Sequence, residues 1–399
     1  MNSRILSKLR CPKCKGALGL RAFDVEQLPF SSPSQEKPGH RPEAGTGTIV
    51  KEGILLCEGC HVWYPVFAYV PVMLIFKTAF HEKFIKMHAA KLRDLVDYTP
   101  PRWAARPGEK ATQATFTEEW NTLRDDDLSF SYTKAELKEL HRKVWLKWQD
   151  TPPADVKEIL DVGVGFGAEA QALQEITGAE LYGVDLNFSL FNSGAAFSKN
   201  PLIHLIICSL FDLPFEEQAF DLVYCQGVLH HTYSTYEGFR SISALVKEGG
   251  QVFIWVYALE DWIALKGWFQ GVLRCCLEGS VRSVLSRSPA FLRKAAVFSL
   301  ALVLHPLIRR KRNRRLWKLK NTQHSLRDFF TPRYAHRHSI NEVAEWFERL
   351  GFTFDYQSAA TYRALFRRPI SGIGGLGTKV QGSTLPQTVA SCQVESKLV

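Results

Sequence analysis

Four cysteines near the start of the sequence form two pairs with the same spacing. Cys11 and Cys14 make one Cys-x-x-Cys pair, and Cys57 and Cys60 make the other. Each such turn can hold two sulfur atoms on one ion, and four thiolates complete the tetrahedral shell of a structural zinc ion. We therefore predict a zinc site. Four reduced cysteines without a metal are the alternative, and a redox pair is disfavoured because no thioredoxin-like βαβ pattern surrounds either pair.

A glycine-rich turn is the second candidate site. Gly163, Gly165 and Gly167 follow a short apolar run and precede a predicted helix. Glycines let the backbone pass close to a ligand, and a helix N-terminus offers unpaired N–H groups and a positive dipole end. The spacing also satisfies a dinucleotide-binding pattern. A tight strand-to-helix turn that binds nothing is the alternative.

Carboxylates and histidines follow the predicted strands. Asp161 lies two residues before the first glycine, and Asp185 ends the next strand, where a carboxylate can accept hydrogen bonds from both ribose hydroxyls. His230 and His231 follow the fourth strand and are candidates for a general base. A purely structural histidine pair is the alternative.

A second histidine cluster occupies the segment 334–339, with His336 and His338. This segment can line a pocket for a second substrate, or it can cap the following helix through Ser339 or Asn341. A metal site formed by the two histidines is disfavoured because no carboxylate or cysteine partner is close in sequence.

Alternating patterns indicate the elements that must position these residues. From residue 157, apolar runs alternate with helical segments, which predicts a parallel sheet covered by helices. The predicted strands are Glu158–Val162, Glu180–Val184, Ile203–Cys208, Asp221–Cys225 and Gln251–Val256. A helix at 340–350 and strands at 352–356 and 362–366 resume the pattern after an insertion.

The remaining chain divides by composition. The predicted units are a small β unit at 1–78 with a loop at 28–48, a helical connecting region at 79–150, the sheet domain at 151–257 and 336–368, a helical insertion at 258–335, and a disordered tail at 369–399. Within the connecting region we expect helices at 81–97 and 132–149, and a loop at 99–115.

Five motifs together resemble class I S-adenosylmethionine-dependent methyltransferases of the type 11 group. They are the glycine turn, the acidic end of the second strand, and the sequences at 212–215, 226–231 and 247–250. A dehydrogenase explains only the first two. The resemblance covers 155–257 and 336–368, and it implies an α/β, Rossmann-like, seven-stranded sheet.

The resemblance implies a role in cofactor binding for eight residues. Asp161 and the three glycines would hold the methionine portion, and Asp185 would bind the ribose. Ser209 and Leu210 would flank the adenine, and the carbonyl of Gln226 would face the methionyl ammonium. Many relatives have aspartate where Ser209 stands, so adenine recognition would rely on a backbone amide and apolar packing. In the reaction a nucleophile attacks the cofactor's methyl group, and a general base is optional.

The cysteine unit resembles the zinc ribbon of methyltransferase activator proteins and ribbons fused to some ribosomal-RNA methyltransferases. The resemblance rests on the sequence at 11–18, on Leu-Leu-Cys-x-x-Cys at 55–60, and on Val-Pro-Val-Met-Leu at 70–74. It implies a structural zinc ion, because all four ligand positions are thiolates and none is left open.

Positive charge is concentrated in one short segment. Arg309–Lys320 holds eight basic residues and no acidic one, so the rest of a chain of net charge +10 carries only +2. With the apolar run Ala295–Ile308 before it, this insertion can form a lid over an apolar substrate, a membrane-surface element that meets anionic lipid, or an RNA clamp. A core helix beside a solvated basic face is the fourth interpretation.

We predict a methyltransferase whose acceptor is a small or lipid-like molecule. An RNA base methyltransferase that uses the ribbon and the basic segment is the alternative, and a non-enzymatic scaffold is a third. Exocyclic amines of adenine are disfavoured as acceptors because Gln226-Gly227-Val228-Leu229 replaces the motif usual for them.

The sequence also predicts a cytoplasmic location. No secretory signal is visible, and the longest apolar run, Ala295–Ile308, is fourteen residues. A spanning helix needs about 20 residues. We therefore expect no transmembrane helix, and contact with the inner membrane surface stays open.

Overall fold

Two sheets organise the computed structural model, which describes residues 1–28, 47–121, 132–146, 148, 155–259, 278–312, 317–358 and 363–368. The first sheet is antiparallel and contains, in order, β1 (Gly19–Leu28), β2 (Gly47–Cys57), β3 (Val62–Phe67) and β4 (Val70–Pro71). Residues 29–46 of the predicted loop 28–48 lie outside the described residues. Residues 47 and 48 belong to β2, so that strand begins earlier than we predicted.

The second sheet has seven strands. They are β5 (Glu158–Val162), β6 (Glu180–Asp185), β7 (Ile203–Ile207), β8 (Phe220–Gln226), β9 (Val246–Trp255), β10 (Thr353–Ser358) and β11 (Arg363–Arg367). Their order is β10-β11-β9-β8-β5-β6-β7, and the five strands from β9 to β7 are parallel. The predicted α/β, seven-stranded sheet is confirmed, and each predicted strand agrees with an observed one to within a few residues.

Helices cover both faces of this sheet. The labelled helices are α1 (Ala79–Met87), α2 (Ala89–Leu92), α3 (Glu109–Trp120), α4 (Lys134–Glu139), α5 (Ala168–Thr177), α6 (Leu190–Phe197), α7 (Thr235–Ser243), α8 (Ala290–Arg312), α9 (Leu319–Phe330) and α10 (Ile340–Arg349). Apolar residues of α4, α5 and α6 pack on one face of the sheet, and those of α7 and α10 pack on the other.

The cysteine unit packs into the core of the large sheet. Ile5 and Leu9 are buried in the same apolar cluster as Phe215 and Phe220. Burial of apolar surface stabilises such a contact by about 25 cal/mol per Å². The small β unit is therefore part of the hydrophobic core of the sheet domain.

Polar contacts fix this packing at several points. Lys8 Nζ lies 2.5 Å from a carboxylate oxygen of Glu158 at the start of β5. Arg10 pairs with Glu216 at 2.8 Å. Just after β4, Met73 N donates to the carbonyl of Ile207 in β7 at 2.6 Å, so the small sheet reaches the edge strand of the large one.

Helix α3 corrects the predicted loop at 99–115. The helix begins at Glu109, directly after Gly108, which adopts φ +72°. We expected a loop because prolines precede this segment. The helix also lacks a regular apolar stripe, because its buried residues include Glu109, Gln113 and Glu119. Its pattern therefore does not show the period of an amphipathic helix.

The insertion contains two long helices that pack on each other. Val297 and Ala301 of α8 form an apolar cluster with Leu326 of α9. Residues 260–277 and 313–316 lie outside the described residues, and so does the predicted tail at 369–399.

One part of α8 departs from our expectation about membranes. Residues Ala290–Arg309 form a helix that is long and apolar enough, by length and composition, to cross a bilayer, and 11% of its residues are buried. We expected no such helix because the uninterrupted apolar run has fourteen residues. The full helix also contains Arg293 and Lys294, which lie before that run.

Candidate functional site

A cavity lies where the order of the parallel strands reverses, between β5 and β8. The carboxyl ends of the strands at such a switch point are the usual ligand site of an open α/β sheet. Six of the residues singled out from the sequence line it: Gly163, Asp185, Ser209, Leu210, Gln226 and His231. Helices α3 and α9 supply other walls.

The glycine turn has a conformation that other residues rarely adopt. Gly163, Gly165 and Gly167 have φ values of +85°, +55° and +86°. A Cβ on Gly163 would lie 2.1 Å from a methyl carbon of Val228, and one on Gly165 would lie 3.0 Å from the Trp120 ring. The turn is thus closely packed between the loop after β8 and helix α3, and side chains at these positions would disrupt it.

The two carboxylates beside the turn differ in position. Asp185 lines the cavity and accepts hydrogen bonds from the N–H groups of Gly165 and Asn187, both at 3.0 Å. Asp161 is buried behind the turn and does not line the cavity. Burial, with the charges of Glu169 and Asp185, raises the pKa of Asp161 well above its usual range.

One end of the cavity contains an acidic residue that we did not predict as a site residue. Glu109, the first residue of α3, is buried and lines the cavity with Ser209. The hydroxyl of Ser209 hydrogen-bonds to this carboxylate, and the backbone N–H of Arg106 donates to it at 2.8 Å. Burial raises the pKa of Glu109 in spite of these bonds.

The opposite wall carries a histidine and an acid from different elements. His231 Nδ1 lies 2.9 Å from the carbonyl oxygen of Tyr334, which can only accept, so Nδ1 carries a proton. His231 Nε2 lies 3.3 Å from Oδ1 of Asp328 in α9. The hydroxyl of Tyr257 donates to the other oxygen of Asp328 at 2.6 Å. Burial acts to raise the pKa of Asp328, but His231 and Tyr257 outweigh it, and that pKa lies below its usual range.

A second acid and histidine lie beside this pair. Glu119 of α3 and His324 of α9 both line the cavity, and His324 Nδ1 lies 3.2 Å from a carboxylate oxygen of Glu119. Burial lowers the pKa of His324 to about 4 and raises that of Glu119 well above its usual range. The imidazole of His324 is therefore neutral near pH 7.

His230 does not line the cavity, although we predicted it as a candidate general base. Its ring is fully buried and stacks on Tyr257 with ring centroids 3.8 Å apart. His230 and His231 belong to a single 3₁₀ turn, Leu229–His231. Successive residues of such a turn point about 120° apart, so two neighbours cannot face the same cavity.

The segment 334–339 does not line the cavity among its described residues either. Ser339 caps α10 by accepting a hydrogen bond from the N–H of Glu342. His336 Nε2 lies 3.0 Å from the carbonyl of Thr232, and His338 Nε2 lies 2.9 Å from the hydroxyl of Thr235. Of our two interpretations the capping one is correct, and the segment supports the loop that carries His231.

The four paired cysteines converge on one point. Their Sγ atoms all lie within 4.8 Å of one another, with Cys14 and Cys57 at 3.5 Å and Cys11 and Cys60 at 3.9 Å. Tetrahedral zinc at a Zn–S distance of about 2.3 Å requires sulfur atoms about 3.8 Å apart. Burial raises the pKa of Cys60 to about 11, and a divalent cation reverses that balance by favouring the thiolate.

Both folded units match known protein families. Residues 160–254 match the model of a methyltransferase domain, and residues 2–67 match the model of Trm112p-like proteins. The chain carries a methyltransferase domain. A Trm112p-like zinc ribbon precedes it in the same chain.

Relatives of the methyltransferase domain act in different contexts. An uncharacterized protein of Synechococcus is 27% identical over 49% of this chain and 47% of its own length. A tRNA U34 carboxymethyltransferase of Idiomarina loihiensis is 26% identical over 30% and 39%. A ubiquinone biosynthesis O-methyltransferase of Coxiella burnetii is 30% identical over 24% and 42%. The chain thus spans less than half the length of these curated relatives.

One solved structure has a low similarity to this chain. The complex between the Haloferax volcanii Trm112 methyltransferase activator and a methyltransferase has a TM-score of 0.34 and 15% identity, over 56% of this chain and 75% of that one.

The methyltransferase domain and the ribbon fit the predicted cofactors. For S-adenosylmethionine, the cavity offers a carboxylate at the end of β6 and a glycine turn at which a Cβ on Gly163 would collide with Val228. For zinc, the four sulfur atoms have the required mutual distances. S-adenosylmethionine and structural zinc are the cofactors of these two domain types.

Sequence reasoning missed the residues that α3 and α9 bring to the methyltransferase domain. Glu109 lies in the predicted loop 99–115, and Glu119 lies between that loop and the predicted helix 132–149. His324 and Asp328 lie in the insertion. Their chemical character was visible, but no motif links them to the strands. A signal was present for Asp328, which is the first acidic residue after Glu278 in an otherwise basic stretch.

Proposed function

We propose that the chain is an S-adenosylmethionine-dependent methyltransferase whose acceptor is a small or lipid-like molecule. The observation that carries this proposal is the shared cavity. Five of the eight residues expected to bind the cofactor line the same space as His231 and Asp328. The proposed cofactor site and the pair of His231 and Asp328 thus lie in one cavity.

The cofactor would lie along the carboxyl ends of β5, β6 and β8. Gly163 and Gln226 would contact its methionine portion, and Asp185 its ribose, while Asp161 would hold the turn from behind. When bound, S-adenosylmethionine supplies a methyl group on a positively charged sulfur, already activated for transfer. The chain's own contribution is then alignment of the acceptor and exclusion of water.

We assign recognition of the adenine amino group to Glu109. Ser209 stands where many relatives have aspartate, and its hydroxyl is directed to Glu109. The buried carboxylate therefore stands at the position where the missing acid would act, although it comes from helix α3 rather than from the loop after β7.

His231 is the residue we assign to the acceptor's proton. The carbonyl of Tyr334 fixes one proton on Nδ1, so Nε2 is the nitrogen that can exchange a proton with the cavity. Oδ1 of Asp328 lies 3.3 Å from this nitrogen, so it can accept a hydrogen bond when Nε2 carries the transferred proton. His230 has no place in this step because its ring lies in the core.

The cavity walls favour a compact and mainly apolar acceptor. Aromatic side chains line the space beside the glycine turn, among them Phe116, Trp120, Phe211 and Tyr233. Helices α3 and α9 cover it, as expected for a lid, although only α9 belongs to the insertion that we predicted as the lid. Enclosed sites of this kind suit small ligands.

RNA is the second candidate acceptor. The basic segment 309–320 and the relative named as a tRNA U34 carboxymethyltransferase favour it. An RNA base would have to leave its stack and enter between α3 and α9. The enclosure of the cavity by these helices is the reason we place RNA second.

Cofactor binding tests the proposal first. Calorimetry should detect S-adenosylhomocysteine binding to the wild type at micromolar affinity, and Asp185→Asn should weaken it about tenfold to a hundredfold because the ribose loses an ionised acceptor. Glu345→Gln, an exposed residue of α10, is the matched control and should bind as the wild type does. Absence of binding to the wild type would leave only the scaffold alternative.

Transfer of labelled methyl groups tests the acceptor. Cell extract separated into lipid, small-molecule and RNA fractions is incubated with the protein and labelled S-adenosylmethionine. We expect label in the lipid or small-molecule fraction, and label confined to RNA would establish the second candidate instead. His231→Asn should retain cofactor binding and reduce transfer about 10²-fold to 10⁴-fold.

A further inference from the structure

One helix presents an apolar face to the outside of the protein. On α8 the exposed large apolar side chains are Phe291, Leu292, Phe298, Leu302, Val303 and Leu307. Phe291 is 69% exposed and Val303 is 70% exposed. At 100° per residue these positions cover about half of the helix circumference. Isolated exposed apolar residues are normal, but a contiguous face of this extent marks an interaction surface.

The opposite face of α8 is fixed to the protein. Val297 and Ala301 are buried against α9, and Arg293 pairs with Glu118 of α3 at 2.7 Å. The apolar face is therefore held in a defined orientation. Crossing a bilayer would require α8 to leave α9 and to break this ion pair.

The charged residues of the segment that contains α8 all have the same sign. Between Glu278 and Asp328 the sequence contains thirteen basic residues and no acidic one. Eight of the thirteen lie in Arg309–Lys320, at the carboxyl end of α8. The exposed charged residues of the described helix, Lys294 and Arg309, are both cationic.

We infer that α8 docks the protein on the surface of an anionic phospholipid bilayer. The apolar face enters the boundary between headgroups and acyl chains, and the helix axis lies in the membrane plane. The basic residues contact lipid phosphates, each contributing about 1 kcal/mol near a charged surface. This inference does not depend on the proposed methyl transfer.

Two other occupants fit these features less well. RNA would use the basic residues but would leave the phenylalanines and leucines in contact with phosphate and water. A second copy of the chain would cover the apolar face but would bring two strongly positive segments together without any acidic partner. Only an anionic lipid surface uses both features.

Vesicle sedimentation with the full-length protein tests this inference. The probes are vesicles of phosphatidylcholine alone and vesicles of equal parts phosphatidylcholine and phosphatidylglycerol. We expect the wild type to bind the anionic vesicles at least about tenfold more tightly, and to be released by high salt. Failure of the wild type to bind anionic vesicles would overturn the inference.

Matched variants separate the apolar face from charge. The triple variant Phe291→Ser, Phe298→Ser and Leu302→Ser should weaken vesicle binding about tenfold or more while leaving heparin retention unchanged. The control pair Met87→Ser and Val96→Ser removes exposed apolar side chains elsewhere and should bind as the wild type does. Equal binding of the triple variant and the wild type would overturn the inference.

Three further outcomes would also contradict it. Displacement of the protein from vesicles by total RNA, together with RNA binding that the triple variant retains, would indicate a nucleic-acid surface. A dimer in sedimentation velocity that the triple variant abolishes would indicate a second copy. Retention on membranes after alkaline carbonate extraction would indicate a spanning helix. Unchanged thermal unfolding and S-adenosylhomocysteine binding of the triple variant show that any loss concerns the surface and not folding.

Discussion

The zinc ribbon and the α8–α9 pair are both additions to the same methyltransferase sheet, but they use their apolar residues differently. Ile5 and Leu9 of the ribbon unit are buried in the core of the sheet domain. The helical pair buries the inner side of α8 and leaves side chains such as Phe291 and Val303 largely exposed. The ribbon thus buries these apolar side chains inside the protein, while the helical pair leaves an apolar surface exposed to potential partners.

This difference separates structural from interaction roles better than composition does. Both regions are rich in apolar and basic residues. Lys8 of the ribbon unit is held by Glu158 and by the carbonyl of Ala219, so its charge is used inside the protein. The basic residues after α8 have no acidic residue near them in sequence from Gly279 to Arg327. Lys8 thus serves the fold, whereas the segment Arg309–Lys320 adds a local concentration of positive charge.

Loss of a zinc ligand should have the largest effect on the free energy of unfolding among the tests of this comparison. Cys57→Ala should destabilise the whole chain by several kcal/mol, because metal binding contributes about 10 kcal/mol or more in zinc peptides and the ribbon shares the core of the sheet. Cys225→Ala, equally buried in β8 but far from the ribbon sulfurs in sequence, is the control and should cost about 1 kcal/mol. Urea unfolding and zinc content per chain measure both. Equal losses would mean that the ribbon cysteines have no special role.

A buried histidine beside the ribbon gives a smaller effect that depends on pH. Burial lowers the pKa of His81 to about 4, against 6.5 for the ordinary group. The unfolded chain therefore binds more protons between those values, so this residue reduces stability as pH falls from about 6.5 toward 4.

His81→Gln tests this dependence and keeps an acceptor for the backbone N–H of Thr78. Between pH 7 and pH 5 the wild type should lose about 2 kcal/mol relative to the variant. Chemical unfolding at each pH measures the difference. Parallel curves of unfolding free energy against pH for the two proteins would contradict this prediction. They would mean that His81 is less buried than the described contacts indicate.

The two faces of α8 give the smallest and most direct test. Leu302→Ala on the outer face should change the free energy of unfolding by less than about 0.5 kcal/mol. Val297→Ala on the inner face, where the side chain is 1% exposed, should cost about 1 kcal/mol or more through a cavity against α9. Thermal unfolding of both variants decides the matter. A large cost for Leu302→Ala would show that the outer face is covered in the free protein.

The strands, the glycine turn and the cysteine cluster could be predicted because their signals are local. A few consecutive residues are enough to predict a buried strand such as Ile203–Ile207 or the glycine turn at 163–167. The cysteine pairs do the same through spacing. Each prediction rests on constraints that neighbouring residues impose on one another, and tertiary packing does not alter them.

The walls of the cavity could not be predicted in the same way. Glu109 and Glu119 become buried only when α3 packs over the glycine turn, and Asp328 meets His231 only when α9 returns to the loop after β8. These contacts join residues that are distant in the sequence, 45 positions apart for Trp120 and Gly165 and 97 positions apart for His231 and Asp328. The error over His230 has a simpler cause, because a histidine pair in sequence does not reveal which ring a 3₁₀ turn directs into the core.

The contact between the small sheet and β7 has a consequence for the protein in a crowded cell. β7 is an outermost parallel strand, and unpaired backbone groups on such strands invite pairing with other chains. The bridge from Val72 and the hydrogen bond from Met73 to Ile207 occupy part of that border. The small sheet therefore covers part of the border of β7 at which another strand could otherwise pair.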